Sequence, residues 1–103
     1  MPLTVLNVAY PFAPVGPDAV GGAEQVLSAL DRALVEAGHR SIVLACEGSR
    51  TAGFHWPVPA ETGALDELAR HRAWARHRAA IDRARRECPV DLVHLHGIDF
   101  DAY

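Results

Sequence analysis

The residues best equipped for chemistry stand in two short stretches far apart in the chain. Late in the sequence, HLHGIDFD sets His94 and His96 two positions apart, with Asp99 and Asp101 close behind. Side chains alternate along a strand, so both imidazoles share one face. A strand-end H-x-H serves either a metal or a ligand-facing imidazole, and a metal needs further ligands from elsewhere. The remaining histidines, His39, His55, His71 and His77, have no ligand-like spacing, so no metal site is expected. His96 reads as ligand-facing, and His94, one step deeper, as a hydrogen-bonded core histidine.

Early in the sequence, VGPDAVGGAEQVL (Val15 to Leu27) resembles a phosphate-binding turn, and three kinds compete for it. Gly16-x-x-x-x-Gly21 opens like a P-loop, which next requires Lys for the phosphates and Ser or Thr for magnesium. Gly22 and Ala23 stand there instead. A dinucleotide turn needs G-x-G-x-x-G directly after the first strand, and neither the spacing nor the long loop here complies. What remains is Gly21-Gly22 at a helix N-terminus, where bare backbone approaches a ligand and free N–H groups favour an anion. The competing reading is a tight loop-to-helix turn with Glu24 favoured by the helix dipole. The residues alone leave both standing.

These side chains need elements to position them. Leu3 to Ala9 is a continuous apolar run rich in β-branched residues, as expected of a strand buried on both faces. A Pro- and Gly-rich loop follows, and from Gly22 the period becomes helical, with a stripe of Ala23, Val26, Leu27, Leu30, Ala33, Leu34 and Ala37. Glu24, Ser28, Asp31, Arg32 and Glu36 fall mostly off that stripe, and Gly38 supplies a left-handed stop. Ser41 to Cys46 predicts a second strand, and residues 47–63 a loop with at most a short extended segment. Thr62 is the expected cap of a second helix from about Ala64 to Glu87, with Leu65, Leu68, Trp74, Ala75, Ile81, Ala84 and Cys88 as its apolar stripe. Pro89 ends it, and Val90 to Gly97 reads as a third strand. The alternation β-α-β-α-β predicts an α/β fold, a truncated doubly wound Rossmann-like unit with a three-strand parallel sheet in the order 2-1-3. In that order the crevice between strands one and three is the switch point where open α/β sheets bind ligands. The glycine turn and His96 should converge there.

Composition narrows the class. The 103 residues suit one small domain, half of them are hydrophobic, and the net charge of −3 disfavours a nucleic-acid partner. Cys46 and Cys88 lack metal-ligand spacing and read as reduced thiols. The N-terminus has no basic n-region or cleavage site, and no apolar run approaches a membrane span, so a cytoplasmic protein is expected. Arginines 70, 72, 76, 78, 83, 85 and 86 crowd the second helix among Asp66, Glu67, Asp82 and Glu87. A solvated face is the favoured reading over a membrane-surface patch.

The stretch AYPFAPVGPDAVGGAEQVLSALDRALVEAGHRSIVLA resembles the opening of the GT-B glycosyltransferases of family 4. The resemblance rests on Pro14, Gly21, Gly22, Ala23, Glu24, Leu30, Leu34, Gly38, His39 and Val43. A second match is DLVHLHG, like the family's D-hydrophobic-hydrophobic-H-x-H strand end. The resemblance implies transfer of a sugar from a nucleotide-sugar donor to a sugar or small-molecule acceptor hydroxyl, mostly with retention of configuration. It implies backbone contacts from Gly21 and Gly22 to the donor phosphate or the acceptor, with Glu24 beside them. It sets His96 at the sugar-transfer centre as the catalytic candidate. His94 joins the substrate-binding candidates, the family pattern assigning it no settled role. The donor is a substrate, and no cofactor is implied.

The family's enzymes are two-domain proteins whose second domain supplies a basic pair for the leaving diphosphate and an E-x7-E motif. Residues 1–103 hold no lysine and no glutamates at that spacing. The expectation is therefore a partial N-terminal, acceptor-side domain over 1–103 without the C-terminal donor domain, inactive by itself. It would work with that domain or with a partner chain. An alternative of another class is a non-catalytic binding or assembly module that completes its sheet edge with a second copy or a separate partner.

Overall fold

The protein, described by a computed structural model over residues 2–12, 14–19, 21–59 and 66–96, forms a parallel sheet covered by one helix on each face. The elements run β1 (Thr4–Val8), α1 (Gly22–Glu36), β2 (Arg40–Cys46), β3 (Phe54–Val58), α2 (Glu67–Glu87) and β4 (Leu92–Leu95). The sheet order is β3-β2-β1-β4, and every neighbouring pair is parallel. The expected three-strand sheet in the order 2-1-3 is thus corrected to four strands. The additional strand, β3, lies outside β2.

The short extended segment allowed within residues 47–63 is β3, and two features kept it from reading as a strand of the sheet. Pro57 lies within it and pairs in register with Ala45, a position that an outer strand tolerates because its missing N–H is not needed by a further neighbour. Residues 47–53 then make the whole connection from β2, shorter than the roughly dozen residues that a parallel crossover ordinarily takes.

The strands alternate between the two helices. Leu6, Val8, Ile42, Leu44 and Val58 pack with Ala84, and with Ala80, Ile81 and Cys88 of α2 around them. On the other face Ala9, Val43, Ala45 and the loop residue Val15 meet Leu27 and Leu30 of α1. This double burial is what makes β1 and β2 apolar without a break.

Both helices bury only part of their expected stripes, Leu27 and Leu30 from α1 and Ile81, Ala84 and Cys88 from α2 reaching the core. The buried residues of α1 are Glu24, Leu27, Ser28 and Asp31, while Val26 is 59% exposed. The helix is rotated toward its polar side because Asp31 receives three hydrogen-bond donors from the sheet side, described below. The buried residues of α2 are Ala69, Ala73, His77 and Ala84, while Leu68 is 65% exposed and Ala75 is exposed. Ala69 and Ala73, and Ala80 and Ala84, at four-residue spacing let the helix lie close on the sheet, with His77 buried between the two pairs. Asp66 caps α2 by accepting from Ala69 N at 2.8 Å; Thr62, Ala64 and Leu65 lie outside the described residues. Gly38 has a φ of +87°, the left-handed stop expected after α1.

Candidate functional site

The crossover through α1 carries the chain from β1 to β2 on one side, and the crossover through α2 returns it to β4 on the other. The carboxyl ends of β1 and β4 therefore flank a topological switch point, where an open α/β sheet leaves a crevice. The loop after β1 leads to Gly21 and α1, and β4 delivers His94 and His96. These are the elements that hold every candidate residue.

His94 lies opposite Asn7 in the β1–β4 register, and the ladder continues past Leu95 with His96 N donating to Val8 O at 2.9 Å. Asp91 anchors the start of β4. Its carboxylate accepts from Thr4 N at 2.8 Å and its own N–H donates to Thr4 O at 2.9 Å. The two imidazoles, two residues apart, share the α1 side of the sheet and meet edge to face, with ring centres 5.3 Å apart. His96 Nε2 donates to the carbonyl of Ala23 at 2.8 Å, in the first turn of α1. A carbonyl only accepts, so the proton is on Nε2, and Nδ1 is the acceptor of the neutral ring. The glycine turn and His96 are thus brought together, as the strand order predicts.

The two glycines differ. Gly21 is the N-cap of α1 with extended backbone, and Gly22 begins the helix. A Cβ on Gly21 would collide with the carboxylate of Glu24, which folds back against it; a Cβ on Gly22 would meet open space. Glu24 is only 7% exposed and stands at the third helical position, where a carboxylate reaches back toward the cap. A negative charge is therefore already present at this helix end. The loop before it is held by Val15 N donating to Ser49 Oγ at 2.9 Å and Arg50 N to Val15 O at 2.8 Å. Gln25 Nε2 donates to Ala19 O at 2.6 Å.

Beneath the imidazoles runs a buried polar chain that periodicity did not single out. Asn7, within the apolar β1, is fully buried and bonds both His94 and Ser41, at 3.2 and 3.0 Å. Ser41 Oγ donates to Asp31 Oδ1 at 2.6 Å. Asp31, 1% exposed, also accepts from Ala52 N at 2.6 Å and Gly53 N at 3.1 Å. The one sequence sign was a polar residue inside each buried element. His94 is half-buried rather than a core residue and bonds the buried Asn7, and burial, aided by the nearby His96, pushes its pKa below the ordinary histidine value.

His77 of α2 is fully buried and donates from Nε2 to Ala9 O at 2.8 Å, tying α2 to the end of β1. Burial lowers its pKa, partly offset by that bond. Burial raises the Cys46 thiol, and Cys46 and Cys88 are both free. Among the described residues no three His, Cys, Asp or Glu side chains are grouped to hold a metal ion; Asp99 and Asp101 lie outside them. No helix of the described residues is long and apolar enough to cross a membrane. The arginines of α2 are exposed except Arg76, which is half-buried.

The model of the protein family described as Glycosyltransferase Family 4 matches residues 20–103, a span that takes in both the Gly-Gly turn and the H-x-H strand end. No curated protein and no solved structure matches the chain.

Proposed function

Because this chain belongs to glycosyltransferase family 4, we propose that it forms the acceptor-side Rossmann-like unit of an enzyme moving a sugar from a nucleotide-sugar donor to an acceptor hydroxyl. The observation that carries this reading is the 2.8 Å bond from His96 to Ala23 O. It joins the strand end bearing the imidazoles to the turn bearing the glycines, across the switch point.

Each residue then has a role. Gly22 offers bare backbone at the positive end of α1 to the donor diphosphate. On the Gly21 side the Glu24 carboxylate repels a second anion and accepts a hydrogen bond from an acceptor hydroxyl. His96 stands beside the donor sugar as the catalytic candidate, and His94 lines the same side. Retention of anomeric configuration follows from the family resemblance.

Transfer also requires stabilisation of the departing diphosphate. Residues 1–103 hold neither a lysine nor glutamates eight positions apart. We assign those groups to a donor-binding domain or partner chain outside these residues, and expect the 103 residues by themselves to turn over no sugar. The free cysteines fit a reducing cytoplasm.

The test is amide chemical-shift mapping of the 103-residue chain titrated with a panel of nucleotide sugars. The expected result is millimolar binding that perturbs Gly22, Ala23, Glu24 and His96 and is lost in Gly22→Val. Binding that leaves these residues unmoved overturns the site. Robust transfer by these residues alone overturns the assignment of the leaving-group machinery to another domain.

A further inference from the structure

We propose that Asp31, on the inner face of α1, positions His94 through Ser41 and Asn7 by dictating which ring nitrogen carries the proton. The direction of each hydrogen bond follows from the one before it. An ionised carboxylate only accepts, and Asp31 accepts from two backbone N–H groups as well as from Ser41. The single hydroxyl proton of Ser41 is therefore committed to Asp31, at 2.6 Å, a length typical of a charge-assisted bond. Ser41 Oγ must then accept from Asn7, which turns the Asn7 amide nitrogen toward Ser41 at 3.0 Å. The Asn7 carbonyl oxygen is left facing His94 Nδ1 at 3.2 Å. A carbonyl oxygen accepts, so His94 must carry its proton on Nδ1. Nε2 becomes the bare, accepting nitrogen of the neutral ring.

Asn7, Ser41 and Asp31 are all buried, at 0, 4 and 1% exposure, so water cannot supply an alternative donor or acceptor at little cost. The geometry is fixed from both ends. Asn7 and His94 are register partners across β1 and β4, and Gly53 permits the close approach to Asp31, since a Cβ there would collide with the Ser41 carbonyl and crowd the Asp31 carboxylate. The two site histidines thereby expose opposite nitrogens, Nδ1 on His96 and Nε2 on His94. Resting on the sugar-transfer reading, this gives His94 a bare Nε2 to accept from a substrate hydroxyl. It makes Asp31 a positioning residue that touches no substrate.

Long-range proton–nitrogen NMR of nitrogen-15 histidine-labelled protein reads the tautomer directly. It is recorded near pH 8, above the ordinary histidine pKa of about 6.5, with His94 assigned by the signal lost in His94→Gln. The wild-type protein is expected to show the proton on Nδ1; a proton on Nε2 overturns the relay. In Asp31→Asn an amide N–H replaces the accepting oxygen facing Ser41. The chain of donors then reverses and the proton moves to Nε2, whereas an unchanged Nδ1 proton overturns the role of Asp31. Ser41→Ala, expected to give mixed tautomers, and Ser41→Thr, expected to keep the wild-type one, supply a second pair should Asp31→Asn not fold. Identical spectra for that pair count against the relay. Because the tautomer is read without sugar, its failure is distinct from a failure of nucleotide-sugar binding.

Discussion

Gly21 and Gly22 are adjacent in sequence and identical in type, yet their surroundings make them unequal. The Glu24 carboxylate lies against Gly21, and Gly22 faces open space. Gly21→Ala should displace that carboxylate and weaken the cap, costing about 1 kcal/mol in denaturant titration. Gly22→Ala should leave stability unchanged or slightly raised, because alanine suits a helix better. Under the proposed function the same substitution weakens nucleotide-sugar binding at least several-fold, because the methyl group occupies the donor's approach. A parallel loss of stability and binding in both variants would contradict this division of labour.

At the scale of elements, α1 and α2 bury polar and small residues beside their large apolar ones. Asp31 turns α1 inward by accepting from Ser41, Ala52 and Gly53, and so pins the short β2–β3 connection. Asp31→Ala would strand the buried Ser41 hydroxyl and release the less buried Ala52 and Gly53 N–H groups, and should cost roughly 2 kcal/mol. The amides of Ala52 and Gly53 should exchange with solvent faster in hydrogen-exchange measurements. On α2, His77 is held neutral by burial, with a pKa below its unfolded value. The unfolded chain therefore binds more protons as the pH falls. Stability is fully present above the unfolded histidine value of about 6.5 and is lost as pH drops from there through the lowered folded value, by up to about 1.4 kcal/mol per pH unit for each proton. His94, lowered in the same direction, adds to the slope. Thermal melts between pH 8 and 5 should show this fall, and His77→Gln, which keeps a donor for Ala9 O, should make it shallower.

For the whole molecule, the reversal of winding direction at β1 is what brings the candidate residues together. One crossover leads away to β2 and β3 and the other returns to β4, so the loop after β1 and the end of β4 meet at one switch point. Under the proposed function the chemistry divides between two domains, and these residues carry the acceptor-side share. On that reading, supplying a donor-binding domain in trans should produce sugar transfer that the 103 residues by themselves do not give. Light scattering distinguishes the other reading, because a stable dimer with no response to nucleotide sugars would mark an assembly module.

The local elements were legible in the sequence because they rest on local physics. The apolar runs of β1 and β2, the left-handed Gly38 and the helical period from Gly22 each follow from a few consecutive residues. The relation of β1 to its neighbours was legible too, since crossover rules leave few options, and with it the meeting of His96 and the glycine turn. Three things needed the tertiary structure. β3 emerged because β2 offered a partner to a segment whose Pro57 spoke against a strand. The inner faces of α1 and α2 were decided by what lay opposite them, donors for Asp31 and a close sheet for the alanines. The chain from Asp31 to His94 joins four separate elements, and its direction comes from a carboxylate that only accepts, which no spacing within one element encodes.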